Sequence, residues 1–186
     1  MKRLMFLIEY IIRPRTVGAI MPSSKHLAEK MIDTIDFENA KYIVEYGPGT
    51  GVFTDKLINR RERHTVILII ENNYEFFTSL TKKYKEVSNL YVIHGSAENV
   101  DKYLEHYNIP YVDYVISGLP FASLPKIVSS TILNKTKKII RKDGKFITFQ
   151  YTLFMKQYIN KYFEVINVNK EYRNIPPAYI LNCSNE

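Results

Sequence analysis

The chain has 186 residues, 46% hydrophobic and 24% charged, with 26 Lys and Arg against 19 Asp and Glu. Such a size and balance describe one globular domain with a real core and exclude a disordered or collagen-like chain. Cys183 is the single cysteine, which excludes an internal disulfide and a cysteine-based zinc site and fits a reducing, intracellular compartment, while the surplus of seven positive charges favours an anionic partner over a neutral one, or is a solvated basic surface.

The opening run from Lys2 to Arg13 superficially resembles a signal peptide. Glu9 interrupts it, Arg13 and Arg15 close it, and no small-residue cleavage site follows closely, so it is read as retained. At helical spacing Lys2, Glu9 and Arg13 share one side, leaving Leu4, Phe6, Leu7, Ile8, Ile11 and Ile12 as a broad apolar face. Two uses are open to it: lying in an anionic bilayer interface, or packing on the rest of the fold. A second helix begins after Pro22, with Ser23 or Ser24 as its cap and Leu27, Ala28, Met31 and Ile32 on its buried side. No apolar run reaches the roughly eighteen residues that would span a bilayer.

Residues 1–38 thus read as N-terminal helices ahead of a single α/β unit at 39–186. In that unit short β-branched runs alternate with amphipathic stretches, the pattern of strands and crossover helices around a parallel sheet. Strands are predicted at 42–46, 65–71, 90–94, 111–117, 145–151, 163–172 and 178–183, with helices at 54–61, 74–83, 100–106 and 124–140. Only Arg173-Asn174-Ile175-Pro176-Pro177 separates the last two strands. That is too short for a parallel crossover, so they are expected to pair as an antiparallel hairpin.

After the first strand comes Glu45-Tyr46-Gly47-Pro48-Gly49-Thr50-Gly51, feeding a helix through Val52, Phe53 and Thr54. Glycines suit such a turn because they accept unusual backbone angles and let a ligand lie against bare peptide. The spacing departs from the Gly-x-Gly-x-x-Gly of dinucleotide sites, since Gly51 comes one place too early. Glu45 would also repel a pyrophosphate, but it suits a cationic amino group; S-adenosylmethionine has that group and no phosphate. Glu71 closes the second strand twenty residues after Gly51, placed to accept hydrogen bonds from ribose hydroxyls. The third strand ends at His94-Gly95-Ser96-Ala97-Glu98.

These motifs resemble those of class I S-adenosylmethionine-dependent methyltransferases. The resemblance implies a doubly wound, Rossmann-like sheet of five parallel strands plus the C-terminal antiparallel hairpin. It also implies a cofactor site in which Ser23, Ser24, Glu45, Tyr46, Gly47, Gly49, Thr50, Gly51 and Thr54 surround the methionine end. Glu71 and Asn72 then take the ribose, and Ser96, Ala97 and Glu98 the adenine edge, with Ser117 beside the methyl group. Many relatives carry Asp where Ser96 stands.

The fourth strand ends in Ser117-Gly118-Leu119-Pro120-Phe121, where amino-methyltransferases place an Asn/Asp-Pro-Pro-Tyr or Asn-Leu-Pro-Tyr loop. There an amide and a carbonyl receive the target N–H groups and the aromatic ring stacks on a flipped base. Ser117 is a weaker acceptor than Asn or Asp. It suits a primary alkyl amine, which needs only to lose a proton and be aimed by backbone carbonyls near Gly118 and Leu119. More narrowly, the chain resembles short bacterial phospholipid N-methyltransferases, relatives of the rRNA adenine N6-dimethyltransferases. The matching segments are Val17-Gly18-Ala19-Ile20-Met21-Pro22-Ser23-Ser24 with Leu27-Ala28, the glycine loop, the Ser117 loop, Phe149-Gln150-Tyr151-Thr152 and Asn174-Ile175-Pro176-Pro177-Ala178.

What this resemblance implies is methylation of the amine of phosphatidylethanolamine and its methylated derivatives. The chain would be cytoplasmic, resting peripherally on the inner, anionic face of the membrane through its N-terminal amphipathic helix, with Tyr151 and Arg173 lining the substrate cleft. The alternatives are an rRNA adenine N6-methyltransferase, with RNA as partner, and a non-catalytic cofactor-binding module. Length favours the lipid reading, because the chain stops three residues after Cys183 where rRNA dimethyltransferases add a helical RNA-gripping domain. His26, His64, His94 and His106 have no ligand spacing, so no metal is expected. His94 is the histidine nearest the cofactor strands. The basic run Lys135, Lys137, Lys138, Arg141 and Lys142 reads first as a solvated face.

Overall fold

The computed structural model describes residues 24–185. Strands β1 (Tyr42–Tyr46), β2 (Val66–Glu71), β3 (Leu90–His94), β4 (Val112–Ser117) and β5 (Ile140–Gln150) are parallel. They join β6 (Val165–Glu171) and β7 (Ala178–Ser184) in one seven-stranded sheet of order β3-β2-β1-β4-β5-β7-β6, where β7 runs antiparallel to both neighbours. The helices are α1 (Lys25–Ile32), α2 (Val52–Arg60), α3 (Tyr74–Lys83), α4 (Val100–His106), α5 (Lys126–Ile139) and the short α6 (Lys156–Ile159). This is the doubly wound sheet with its closing hairpin that the family resemblance implied.

Strand alternation sorts the core into two layers. On one face Ile43, Ile67, Ile69, Ile116 and Ile147 pack under α1, α2 and α3; on the other Val44, Leu68, Val115, Phe146 and Leu181 pack under α4 and α5. Cys183 lies wholly inside the second layer, where burial pushes its thiol up to about 12 and leaves it inert. Some boundaries differ from the sequence reading. β5 begins at Ile140, paired with Val112, because an edge-to-edge match with β4 extends the strand back past a register shift around Asp113. The 3-10 turns at Ala97–Asn99 and Leu153–Met155, like α6, are too short to leave a periodic signal.

Asp113 clamps the sheet at the end remote from the site. It is 1% exposed; its Oδ2 accepts from the backbone N–H groups of Lys41 and Tyr42, each at 2.8 Å, and its Oδ1 lies 2.7 Å from Arg141 Nε. Asp113→Ala would strand two part-buried backbone donors and a cation. It is expected to cost about 3 kcal/mol of stability, read as a lowered urea midpoint with an unchanged m-value; a midpoint equal to wild type would remove Asp113 from the framework.

Candidate active site

The parallel strands aim their C-terminal ends at one edge of the sheet. From β1 the chain works outward to β2 and β3, and from β4 it works the opposite way to β5. That reversal opens a crevice between the loops leaving β1 and β4, the place where open α/β sheets bind ligands.

Gly47, Gly49 and Gly51 hold φ of 63°, 56° and 83°. Their surroundings separate their roles. A Cβ on Gly49 would meet nothing within 4 Å, whereas one on Gly51 would lie 2.3 Å from Tyr84 Oη. Gly49 therefore borders open space, and Gly51 allows the start of α2 to pack on the end of α3. Thr50 between them is exposed.

Glu45 faces α2 and is wholly buried, Oε2 accepting from Thr54 Oγ1 at 2.7 Å while Oε1 has no partner among the described residues. Burial pushes its carboxyl up to about 8 against the opposing Thr54 hydrogen bond. At neutral pH it carries a proton unless a cation is brought to it. Tyr46, one residue on, points to the opposite face, with its hydroxyl 3.1 Å from Thr136 Oγ1 of α5. The period of two along a strand sends its ring into the core, while its carbonyl accepts from Gly118 N at 2.9 Å, so a cofactor contact at Tyr46 would come from its backbone.

Glu71, 7% exposed, bridges two loops: Oε2 accepts from Gly49 N at 3.0 Å and Oε1 from Asn73 N at 2.8 Å. A carboxylate has about four lone-pair positions, so both oxygens retain room for ribose hydroxyls. Asn72 is exposed beside it. Asn73, which the sequence reading passed over, caps α3 by accepting from Glu75 N and Phe76 N at 2.9 and 3.1 Å; an Asn ahead of an amphipathic run was the available signal. The carbonyl of Glu71 accepts from Gly95 N at 3.0 Å, which draws the end of β3 alongside. There Ser96 Oγ accepts from Glu98 N at 3.2 Å and donates to Glu98 Oε2 at 3.1 Å, while Ala97 is buried. His94 stacks on Phe77 with centroids 5.1 Å apart, at the β3 end of the crevice. Two strands separate it from the acceptor loop.

Ser117 is wholly buried; its Oγ accepts from Leu119 N at 3.2 Å and its carbonyl from Thr148 Oγ1 at 3.3 Å. A Cβ on Gly118 would lie 2.7 Å from the Gly47 carbonyl, so a bare residue is what lets the two loops touch. The Leu119 and Pro120 carbonyls accept from Phe121 N and Ser123 N at 3.0 and 2.8 Å, leaving the Gly118 carbonyl without a donor among the described residues. Phe121 is 1% exposed and meets Phe146 edge-on at 6.0 Å. The ring fills the core beneath α5, away from the stacking position that the aromatic residue of adenine-methylating loops takes.

Tyr151 is half-buried and edge-on to Phe149 at 5.7 Å, and burial raises its phenol against a hydrogen bond with Asn174. Arg173 is on the rim, with Nε and Nη2 at 3.1 and 3.3 Å from the two oxygens of buried Glu171. Ser24 is the cap of α1, accepting from Leu27 N at 3.1 Å, and its own N–H donates to Asn174 Oδ1 at 3.3 Å. Ser23 and the amphipathic segment lie outside the described residues. One residue was missed: Gln150 ends β5 two places beyond Thr148, the partner of Ser117, and is 6% exposed with Nε2 unpaired among the described residues. A lone polar residue closing the apolar run Phe146-Ile147-Thr148-Phe149 was its signal. The basic run falls at the far edge of the sheet, where Lys135 pairs with Asp101 at 2.7 Å and Arg141 with Asp113.

Known proteins resemble this chain in sequence and in fold. The family model described as ribosomal RNA adenine dimethylase matches residues 20–172. The chain is 27% identical over 181 residues to an ornithine lipid N-methyltransferase of Singulisphaera acidiphila, covering 96% of this chain and 94% of that one. It is 28% identical over 114 residues to a ribosomal RNA small subunit methyltransferase A of Dehalococcoides mccartyi, covering 60% of this chain and 38% of that one. In fold it resembles a precorrin-6y C5,15-methyltransferase of Geobacter metallireducens, with a TM-score of 0.66 at 14% identity over 87% of each chain.

Proposed function

The chain belongs to the ribosomal RNA adenine dimethylase family and is an S-adenosylmethionine-dependent methyltransferase, and from that premise we propose that it methylates the amine of a membrane-lipid head group. Phosphatidylethanolamine and its partly methylated products come first. The side chains around the crevice fit the cofactor: a buried, half-satisfied carboxyl at Glu45 for an amino group, bare backbone at Gly49, and spare lone pairs on Glu71 for a ribose. When bound, S-adenosylmethionine supplies an electrophilic methyl group.

The observation that carries the lipid reading is the burial of Phe121. A flipped adenine needs an aromatic face to stack on and a side-chain amide to redirect its delocalised nitrogen. The loop offers neither, since the ring is sealed in the core and Ser117 has its hydroxyl engaged by Leu119 N. An alkyl amine needs less. A water-poor crevice lowers its pKa, and the Gly118 carbonyl can accept one of its N–H groups and turn the lone pair inward. Similarity to an ornithine lipid N-methyltransferase along nearly the whole of both chains supports an amine head group of this kind.

The family's own description favours a second reading, adenine N6 methylation in ribosomal RNA. Methyl-labelled cofactor, offered with vesicles containing phosphatidylethanolamine or ornithine lipid and separately with ribosomal RNA, separates the two. Label is expected in lipid; label confined to RNA would overturn the proposal.

A further inference from the structure

The acceptor side of the crevice is surrounded by large apolar side chains that the fold leaves in the open. Ile127 in the first turn of α5, Leu153 and Phe154 just past β5, and Tyr172 and Ile175 between β6 and β7 are 43–83% exposed. Their placement is common. β4 and β5 end at this edge, and β7 brings Tyr179 opposite Gln150, so the β6–β7 connection emerges beside the end of β5. Tyr158 Oη of α6 donates to the Lys126 carbonyl at 3.2 Å, fastening the Leu153–Phe154 turn to the start of α5. Isolated exposed apolar residues are ordinary, but several grouped around a reaction crevice mark a docking surface.

Charge identifies what docks. Segments 118–130, 150–160 and 170–180 contain Lys126, Lys156, Lys170 and Arg173 but a single acid, Glu171, which is buried against Arg173. Lys170 Nζ lies over the rings of Tyr172 and Tyr179 at 4.7 and 5.0 Å, an ammonium seated on an aromatic rim. Apolar side chains interleaved with cations around an opening suit an anionic bilayer surface, where aromatics and aliphatics enter the interface and the cations meet phosphates.

We propose that this rim docks the enzyme on an anionic membrane, with the crevice mouth against the head groups, so that an amine enters from the bilayer without leaving it. This rests on the lipid reading above. It concerns the described fold alone and differs from the expectation that the N-terminal amphipathic segment supplies the contact.

The test uses the full chain and vesicles of phosphatidylethanolamine with phosphatidylglycerol. Ile127→Ser combined with Phe154→Ser is expected to lower vesicle affinity at least about tenfold, and Lys126→Glu with Lys170→Glu to remove its dependence on phosphatidylglycerol. Melting temperature and cofactor affinity should match wild type, as should methylation of a short-chain, water-dispersed lipid amine. Vesicle affinity within about twofold of wild type for both variants would overturn the docking surface, as would loss of ribosomal RNA binding in its place. Failure of the wild type to methylate the short-chain amine would instead count against the lipid reading, because vesicle binding is read without methyl transfer.

Discussion

Glu45→Gln is expected to stabilise the unliganded protein while removing most of its affinity for S-adenosylmethionine. Glu45 has no exposed surface and, among the described residues, one hydrogen bond and one unpartnered oxygen. Its carboxyl sits at about 8 against an ordinary 4.5. Between those values the native state keeps a proton that the unfolded chain has released, so stability falls as pH rises from about 4.5 to about 8 and levels off above. At pH 7 the deficit is about 3 kcal/mol, taking about 1.4 kcal/mol per pH unit. Glutamine has the shape of the protonated acid and never ionises. Most of that deficit should be recovered, as a rise in melting temperature of roughly 5–10 °C that shrinks towards pH 5. Cofactor binding runs the other way, because a cationic amino group is what a buried carboxylate lacks. Its loss should weaken affinity roughly 10- to 100-fold by calorimetry. A variant that is no more stable at pH 7 than wild type, or that binds the cofactor as tightly, would show that Glu45 serves another purpose.

Gly49→Ala and Gly51→Ala are expected to fail in opposite ways, although the two glycines look equivalent in sequence. Both have positive φ, which costs an alanine about 1 kcal/mol. At Gly49 the added methyl would meet nothing within 4 Å among the described residues, and the Gly49 N–H stays donated to Glu71. The protein should fold with a melting temperature a few degrees below wild type, and lose cofactor affinity by roughly 100-fold as the methyl occupies the ligand's place. At Gly51 the methyl meets Tyr84 Oη at 2.3 Å and Leu80 at 3.1 Å, and the tyrosine is held by its hydrogen bond to Asp55 at 2.8 Å. Overpacking adds to the backbone strain, for a total of about 3 kcal/mol. Denaturant melts with cofactor titrations separate the two. Equal losses of stability in both variants would refute the division of labour.

The doubly wound order came from the family resemblance. The strands, the crossover helices and the closing hairpin were legible in the sequence, because strand and helix periods, a five-residue connection and a glycine turn are local properties. The same holds for Glu45, Glu71 and Ser117 as strand-terminal residues, since each ends or nearly ends an apolar run. Orientation and contact were decided only in three dimensions. Tyr46 and Phe121 stood inside the right motifs but face the α5 side of the sheet, because alternation along β1 and the turn at Pro120 direct them there. The basic run 135–142 and the apolar rim show the same limit. Neither states in the sequence which end of the sheet it borders, and the crossover from α5 to β5 carries the cations to the far edge of the sheet. Ile127, Phe154 and Ile175, far apart in the chain, meet at the crevice because β4, β5 and the β6–β7 connection end side by side. Periodicity and turn chemistry act over a few residues and write themselves into sequence; which surfaces share an edge is set by strand order, and strand order belongs to the folded sheet.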